Sequence, residues 1–492
     1  MSLPRLEMRN GRPGLTVDGQ PFLILGLQWD CDACFSTEEM SPLFPHARRM
    51  GANTAVLPTY WRALEPETGR FDFAMVDEAI AQARAQGMRL ILLWFAAWKN
   101  ASPFYAPDDI RKDHQTYRRA RDRNGAECVS LCPTCEATFE RDRAALLALM
   151  RHLAEVDGDH RVITVQLENE SGIIGSDRCY CPECKARFVR EEFADRYGTE
   201  AGETFSAVCF ARYIDRLAAA AKAVLPLPLY TNVWLTQPVG RVPGSYPSGG
   251  AMPHLIGRYR EELKHLDFVA PDIYTSGATD FDRLCRAYGA DGNALYIAEH
   301  SSAPDGRAER NAFYAFGKYG AIGFDPWAID APYPDIWGVP LVDSVGYEWG
   351  PQAYWLRDSY VAIGRAMVPI ARAQGTDRLA CFVQEAHETA AGWSMPGCEL
   401  LISYHDRDRM GRGLAIRLAT DEFILVGVGY EARFSRPVTG APIPIISAEW
   451  GRFEGERWHA THPIRRQFLE SEGKPIRLLE PGVARIVLDM NC

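Results

Sequence analysis

Along the first three quarters of the chain, short apolar runs alternate with stretches whose apolar residues recur every three or four positions. The runs are FLILGLQ (22–28), NTAVLPT (53–59), LILLWFA (90–96), VITVQLE (162–168), PLYTNVW (228–234), DFVAPDIY (267–274), ALYIAEH (294–300) and GAIGFDP (320–326). Nearly continuous apolarity marks strands buried on both faces, which is the condition inside a parallel sheet. Between them lie helical patterns. Val76, Ile80 and Ala83 share one face of a helix that Gly87 ends, and Phe139, Leu146, Met150 and Leu153 share a face of a helix over 139–156. Eight strands separated by helices predict a closed (β/α)8 TIM barrel, with a doubly wound open sheet as the competitor; no glycine fingerprint follows the first strand to favour the latter.

The pattern changes beyond a long helical stretch at 352–372. Runs such as FILVGVGYEARF and VARIVLDM, set between turns rich in Gly, Pro and Asp, read as antiparallel strands with no helices between them. The expected organisation is therefore a catalytic barrel over 1–375 and a smaller all-β sandwich domain over 376–492.

Composition narrows the function. Of the 492 residues, 47% are hydrophobic and the formal net charge is −10, with no basic cluster. That excludes an electrostatic footprint for nucleic acid or an anionic membrane and favours a small polar substrate. The first residues, MSLPRLEMRNGRPG, lack the apolar core of a secretory signal, and LILLWFAAW is too short to cross a bilayer. A cytoplasmic protein is expected, free or as a homo-oligomer.

In a barrel of this kind, residues at the carboxyl ends of the strands face the active-site mouth. Glu168, Asn169 and Glu170 end the fourth run; Glu299 and His300 end the seventh. Two glutamates on opposite strands suit glycosidic cleavage, in which one carboxylic acid protonates the leaving oxygen and a second carboxylate meets the oxocarbenium ion. QLENESG and YIAEHSS, with WRALEPETGRFDF after the second strand and PDIYTS after the sixth, resemble the retaining clan A glycoside hydrolases, particularly β-galactosidase families 35 and 42. The resemblance implies Glu170 as acid/base, Glu299 as nucleophile, Asn169 as the partner of the sugar 2-hydroxyl and Tyr274 as the residue that orients Glu299. Family 35 is the nearer expectation. Glu168 is expected to point the same way as Glu170 but deeper, in a supporting salt bridge, and His300 to be a hydrogen-bonding neighbour of the nucleophile.

The implied activity is a retaining exo-β-glycosidase acting on terminal β-galactosides. Two departures from family 35 bear on the sugar: FAAWKNA has Ala97 where an acidic residue grips galactose, and Pro58 stands where a Tyr is usual. Lys99 and Asn100 are the replacements available there, and Trp98 and Trp327, with Trp61 and Trp234, offer aromatic platforms. A β-glucoside, β-mannoside or arabinoside is the alternative substrate, and a non-catalytic carbohydrate-binding protein the alternative function.

Thirteen cysteines, an odd number gathered in clusters, suggest a metal site rather than a disulfide framework. LCPTC supplies Cys132 and Cys135, and RCYCPEC supplies Cys179, Cys181 and Cys184. Short Cys-Pro-x-Cys turns aim two sulfurs at one point, as a tetrahedral structural zinc requires. The second cluster resembles family 42, where a Cys-x-Cys-x-x-Cys joins one upstream cysteine. Five candidates compete for four places, and no cofactor is expected in catalysis.

Overall fold

Each of the eight apolar runs forms a strand in the computed structural model, which describes residues 2–235, 242–275, 277–301, 307–328, 351–385, 388–404, 410–464 and 474–490. The strands are β1 (Ile24–Gln28), β2 (Thr54–Tyr60), β3 (Arg89–Lys99), β4 (Val162–Asn169), β5 (Leu229–Trp234), β6 (Phe268–Ile273), β7 (Tyr296–His300) and β8 (Gly323–Pro326). They close into one barrel in the order β5-β6-β7-β8-β1-β2-β3-β4. Paired strands run parallel, with Thr54 of β2 opposite Arg89 of β3 and Tyr230 of β5 opposite Phe268 of β6. Every residue of β2, β4 and β6 is buried, including the polar Thr164, Gln166 and Glu168 that alternate along β4, so both faces of these strands are covered.

The helix over Ala74–Gln86 ends where expected, with Gly87 in the left-handed conformation at φ 64°. The second expected helix begins slightly earlier and covers Glu136–Val156. The stretch read as one long helix at 352–372 is two, Pro351–Gly364 and Met367–Ala373. Two features are not among the predicted elements, although Asn10-Gly11 and Asp18-Gly19 are hairpin-turn pairs, all four residues at positive φ. One is an antiparallel sheet of Arg5–Arg9, Arg12–Val17 and Gln20–Phe22; the other is a hairpin of Arg119–Arg121 and Glu127–Leu131, inserted between β3 and β4.

Contacts divide the chain into two compact units. One comprises Met1–Arg5, Gln28–Phe44 and Thr54–Glu299; the other comprises Leu6–Leu27, Pro45–Asn53 and His300–Cys492. Within the second unit, residues 379–488 form an all-β domain of two antiparallel sheets, one of six strands and one of four. Phe382, Ile402, Phe423, Leu425 and Ile486 lie in its core. Buried Arg412 ties this domain to the helix Pro351–Gly364, donating to Ser359 Oγ at 2.8 Å and to Trp355 O at 2.7 Å. No helix among the described residues is long and apolar enough to cross a membrane.

Candidate active site

The chain turns sharply where β4 ends. Glu168 and Glu170 both sit in the left-handed region, at φ 59° and 48°, a conformation that costs an L-residue roughly 1–2 kcal/mol. Neighbouring backbone holds the turn: Asn100 N donates to Asn169 O and Ala101 N to Glu170 O, both at 3.2 Å, and Glu170 N donates to Asn232 Oδ1 at 2.9 Å. Strain at a surrounded site of this kind is what a functional segment tolerates.

The left-handed residue at Glu168 breaks the alternation of side chains along the strand, and this overturns the expected salt bridge. Glu168 is fully buried, but its partners are Trp98 N, which donates to Oε2 at 2.7 Å, and the carboxyl group of Asp142 on the helix Glu136–Val156. Asp142 in turn accepts from Trp94 Nε1 and Tyr213 OH, each at 2.8 Å. Burial, with Asp142 beside it, pushes the Glu168 carboxyl well above the usual carboxylate range. What the fold sets beside Glu168 is thus a second carboxyl group and not the cation of a salt bridge.

Glu170 goes the other way, into a buried acidic centre. One carboxylate oxygen from each of Glu170, Asp272 and Glu299 lies within 4.8 Å of those of the other two. The side chains come from the ends of β4, β6 and β7, and none of the three residues is more than 5% exposed. Tyr274, just past β6, donates its hydroxyl to Glu299 Oε2 at 2.6 Å. Gln28 at the end of β1 and Asn232 on β5 donate to Glu299 Oε1 at 3.4 and 3.3 Å, and Asn232 also donates to Asp272 Oδ2 at 3.0 Å.

Burial and the neighbouring Glu299 charge push the Glu170 carboxyl up to about 7. Burial works against the Lys99 ammonium, yet Cys31, Glu170, Glu299 and Asp272 outweigh it and hold its pKa above the ordinary value. A group protonated near neutrality thus lies beside a hydrogen-bonded carboxyl group, their nearest oxygens within 4.8 Å. Two such groups can perform acid and nucleophile chemistry. Asn169 completes the centre's edge: it is fully buried, and neither amide atom of its side chain has a hydrogen-bond partner among the described residues.

Other candidates are placed differently. Trp98 is no sugar platform: it is fully buried, with its ring edge-on to Phe210 and Tyr213. Trp61 is equally buried, its Nε1 donating to Glu65. Asn100 takes a left-handed turn at φ 52°, and its Oδ1 accepts from Lys99 Nζ. Trp327 follows β8 in the second unit and is partly exposed, its backbone N donating to His300 O at 2.9 Å. Asn311 Nδ2 lies 3.2 Å from His300 Nε2, within the same unit. Gln28 and Asn232 belong to no motif, and Asp272 lies inside PDIYTS without being singled out there. Their one signal is that each is a polar residue near the carboxyl end of an otherwise apolar strand, the same signal that exposes Glu170.

The sulfurs of Cys132, Cys179, Cys181 and Cys184 form a buried group within 4.8 Å of one another. The competition among five cysteines is thereby resolved against Cys135, whose Sγ meets Thr116 O at 3.4 Å. Cys132 follows the inserted hairpin, and Cys181 caps the helix Pro182–Arg190. Four soft, buried donors suit a metal ion and leave no open coordination position. Among the described residues no disulfide is formed.

Known proteins share parts of this chain. The glycoside hydrolase family 42 model, described as β-galactosidase, matches residues 40–208, and a domain of unknown function matches residues 356–464. The β-galactosidase BgaA of a Thermus species is 31% identical over 139 residues, 28% of this chain and 20% of that protein. BgaH of Haloferax lucentense is 31% identical over 141 residues, with the same shares. The chain thus spans about a fifth of the length of these relatives. Among solved structures, the β-galactosidase of Rahnella sp. R3 superposes with a TM-score of 0.52 at 17% identity, over 71% of this chain and 57% of that one. The catalytic domain of β-amylase from Paenibacillus polymyxa gives 0.52 at 12% identity, over 68% and 97%. The structural likenesses establish the fold, an eight-stranded (β/α) barrel, while the sequence matches point to family 42 and leave the family 35 expectation unsupported.

Proposed function

We propose that the protein is a retaining exo-β-galactosidase. Glu299 attacks the anomeric carbon while Glu170 gives its proton to the departing oxygen; water then releases the sugar from Glu299, and its proton returns to Glu170. Tyr274, Gln28 and Asn232 hold Glu299 in line, and Asn169 offers its unpartnered amide to the sugar 2-hydroxyl. The observation that carries this reading is the convergence of Glu170 and Glu299 on one buried point. Retaining pairs stand ~5–5.5 Å apart, and inverting pairs ~6.5–9.5 Å to admit a water molecule. The family 42 match over the segment that contains Glu170 favours galactose.

The four-cysteine group is read as a structural zinc site, held by Cys132, Cys179, Cys181 and Cys184. A thiolate-only ion braces the segments after β3 and β4 and takes no part in turnover. Division into a barrel of 1–375 and a β-domain of 376–492 belongs to the same reading, supported by the last barrel strand ending at Pro326 and the first strand of the two C-terminal sheets starting at Leu379. So does residence in the cytoplasm, supported by the lack of disulfides among the described cysteines.

A panel of nitrophenyl glycosides tests the sugar. The galactoside should be the best substrate, and preference for glucoside, mannoside or arabinoside would reassign it. Glu170→Gln should lower kcat on an unactivated galactoside by about 10²- to 10⁴-fold. With azide, Glu170→Ala should form the β-galactosyl azide and Glu299→Ala the α-anomer. A panel with no substrate, or undiminished turnover by Glu170→Gln, would overturn the assignment.

A further inference from the structure

The acidic centre holds one carboxyl group more than a two-glutamate mechanism uses. Asp272 is 2% exposed and stands beside both Glu170 and Glu299. Its Oδ2 accepts from Asn232 Nδ2, whereas Oδ1 has no hydrogen-bond partner among the described residues, and neither has Glu170 Oε2. Among the described residues, the titratable groups that face Asp272 are Glu170 and Glu299, Tyr274 and Tyr288, and the cation Lys99. Three buried carboxylates against one ammonium would leave an excess of two negative charges on side chains that are each at most 5% exposed. Taking that charge out of water costs far more than keeping protons on two of the groups.

We propose that Asp272 is a positioning residue for the acid/base: it keeps its own proton in the resting enzyme and directs it at Glu170, leaving Glu299 as the one ionised carboxylate of the three. This rests on the reading of Glu170 as the acid. When Glu170 gives its proton to the leaving oxygen, the new carboxylate accepts a hydrogen bond from Asp272. When water attacks the glycosyl-enzyme, Glu170 takes the proton of that water and Asp272 still holds its own. Asn232 fixes the arrangement, since one side chain contacts Glu170 N, Asp272 and Glu299. The direction of the electrostatics agrees: burial and the two glutamates hold Asp272 well above the usual carboxylate range, and its interaction with Glu170 lowers the pKa of the latter.

Two measurements test this. The first is the infrared difference spectrum between the parent protein and Asp272→Asn at neutral pH, which needs no turnover. The parent should carry a protonated-carboxyl band that the variant lacks; its absence from the parent overturns the proposal whatever the enzyme does. The second is the pH profile of kcat/KM, whose alkaline limb follows the loss of the Glu170 proton. Asp272→Asn, neutral and still a donor, should leave that limb in place. Asp272→Ala, without a donor, should move it to higher pH by about one unit. A limb that falls in Asp272→Asn means that Asp272 was ionised, and limbs unmoved in both variants mean a merely structural residue; either result refutes the proposal. Undiminished turnover by Glu170→Gln would instead remove the acid/base reading, while the infrared result would still decide where the proton lies.

Discussion

Replacing Tyr274 by Phe removes one oxygen atom and one hydrogen bond, so its effect can be worked from the geometry. The hydroxyl donates to Glu299 Oε2 at 2.6 Å, short as expected when the acceptor is an ionised carboxylate. Bonds to charged groups contribute roughly 1.5–3 kcal/mol. The remaining donors to Glu299, Gln28 and Asn232, stand at 3.4 and 3.3 Å and reach only the other oxygen, Oε1, so they cannot replace it. At 1.36 kcal/mol per factor of ten, Tyr274→Phe should lower kcat by about 10- to 150-fold. Steady-state hydrolysis of nitrophenyl β-galactoside measures this, and a circular dichroism melt checks that the fold is retained. Parent values of both kcat and KM would refute the assignment of Tyr274 to the nucleophile.

Other substitutions probe the supports of the site. Glu168 has a raised pKa, so its contribution to stability is whole below its unfolded value of about 4.3 and is lost as the pH rises through the folded one. Glu168→Gln is neutral at every pH and should flatten the decline of the urea midpoint from neutral to alkaline pH; an unchanged slope would show that Glu168 is not the titrating group. Zinc should co-purify with the parent and not with Cys184→Ser, and a chelator should lower the parent's Tm by several degrees while leaving that of Cys184→Ser unchanged. A metal-free parent would remove the zinc assignment. Gly26 on β1 has no room for a methyl group, because a Cβ there would lie 1.5 Å from Oδ1 of buried Asp325. Gly26→Ala should cost about 3 kcal/mol or more by denaturant titration, the upper end of overpacking, and parent stability would contradict that contact.

The barrel could be read from the chain because buried parallel strands leave a one-dimensional record. A strand covered on both faces is predominantly apolar, and all eight runs from 22–28 to 320–326 show that excess, with their polar residues mostly toward one end. The all-β tail was legible for the matching reason, as strands and turns without helical periods. Glu170 and Glu299 stood out because a polar residue that ends such a run needs a reason to be there.

What the sequence could not hold is which groups meet. Glu168 and Glu170 differ by two positions, which in a regular strand puts them on one side; a left-handed residue at each sends one to Asp142 and the other to Glu299. Asp272 lies one residue from the end of β6 as an ordinary polar residue, and only barrel closure sets it against two glutamates. Trp98 and Trp327 look alike as tryptophans after strands, yet the first is sealed among aromatic rings. Cys132 and Cys135 share one turn, and the fold brings only Cys132 to the downstream cysteines. Burial and hydrophobicity are properties of single positions, and the chain determines them alone. Proximity across the barrel depends on residues far apart in the chain and is decided only when the last strand closes on the first.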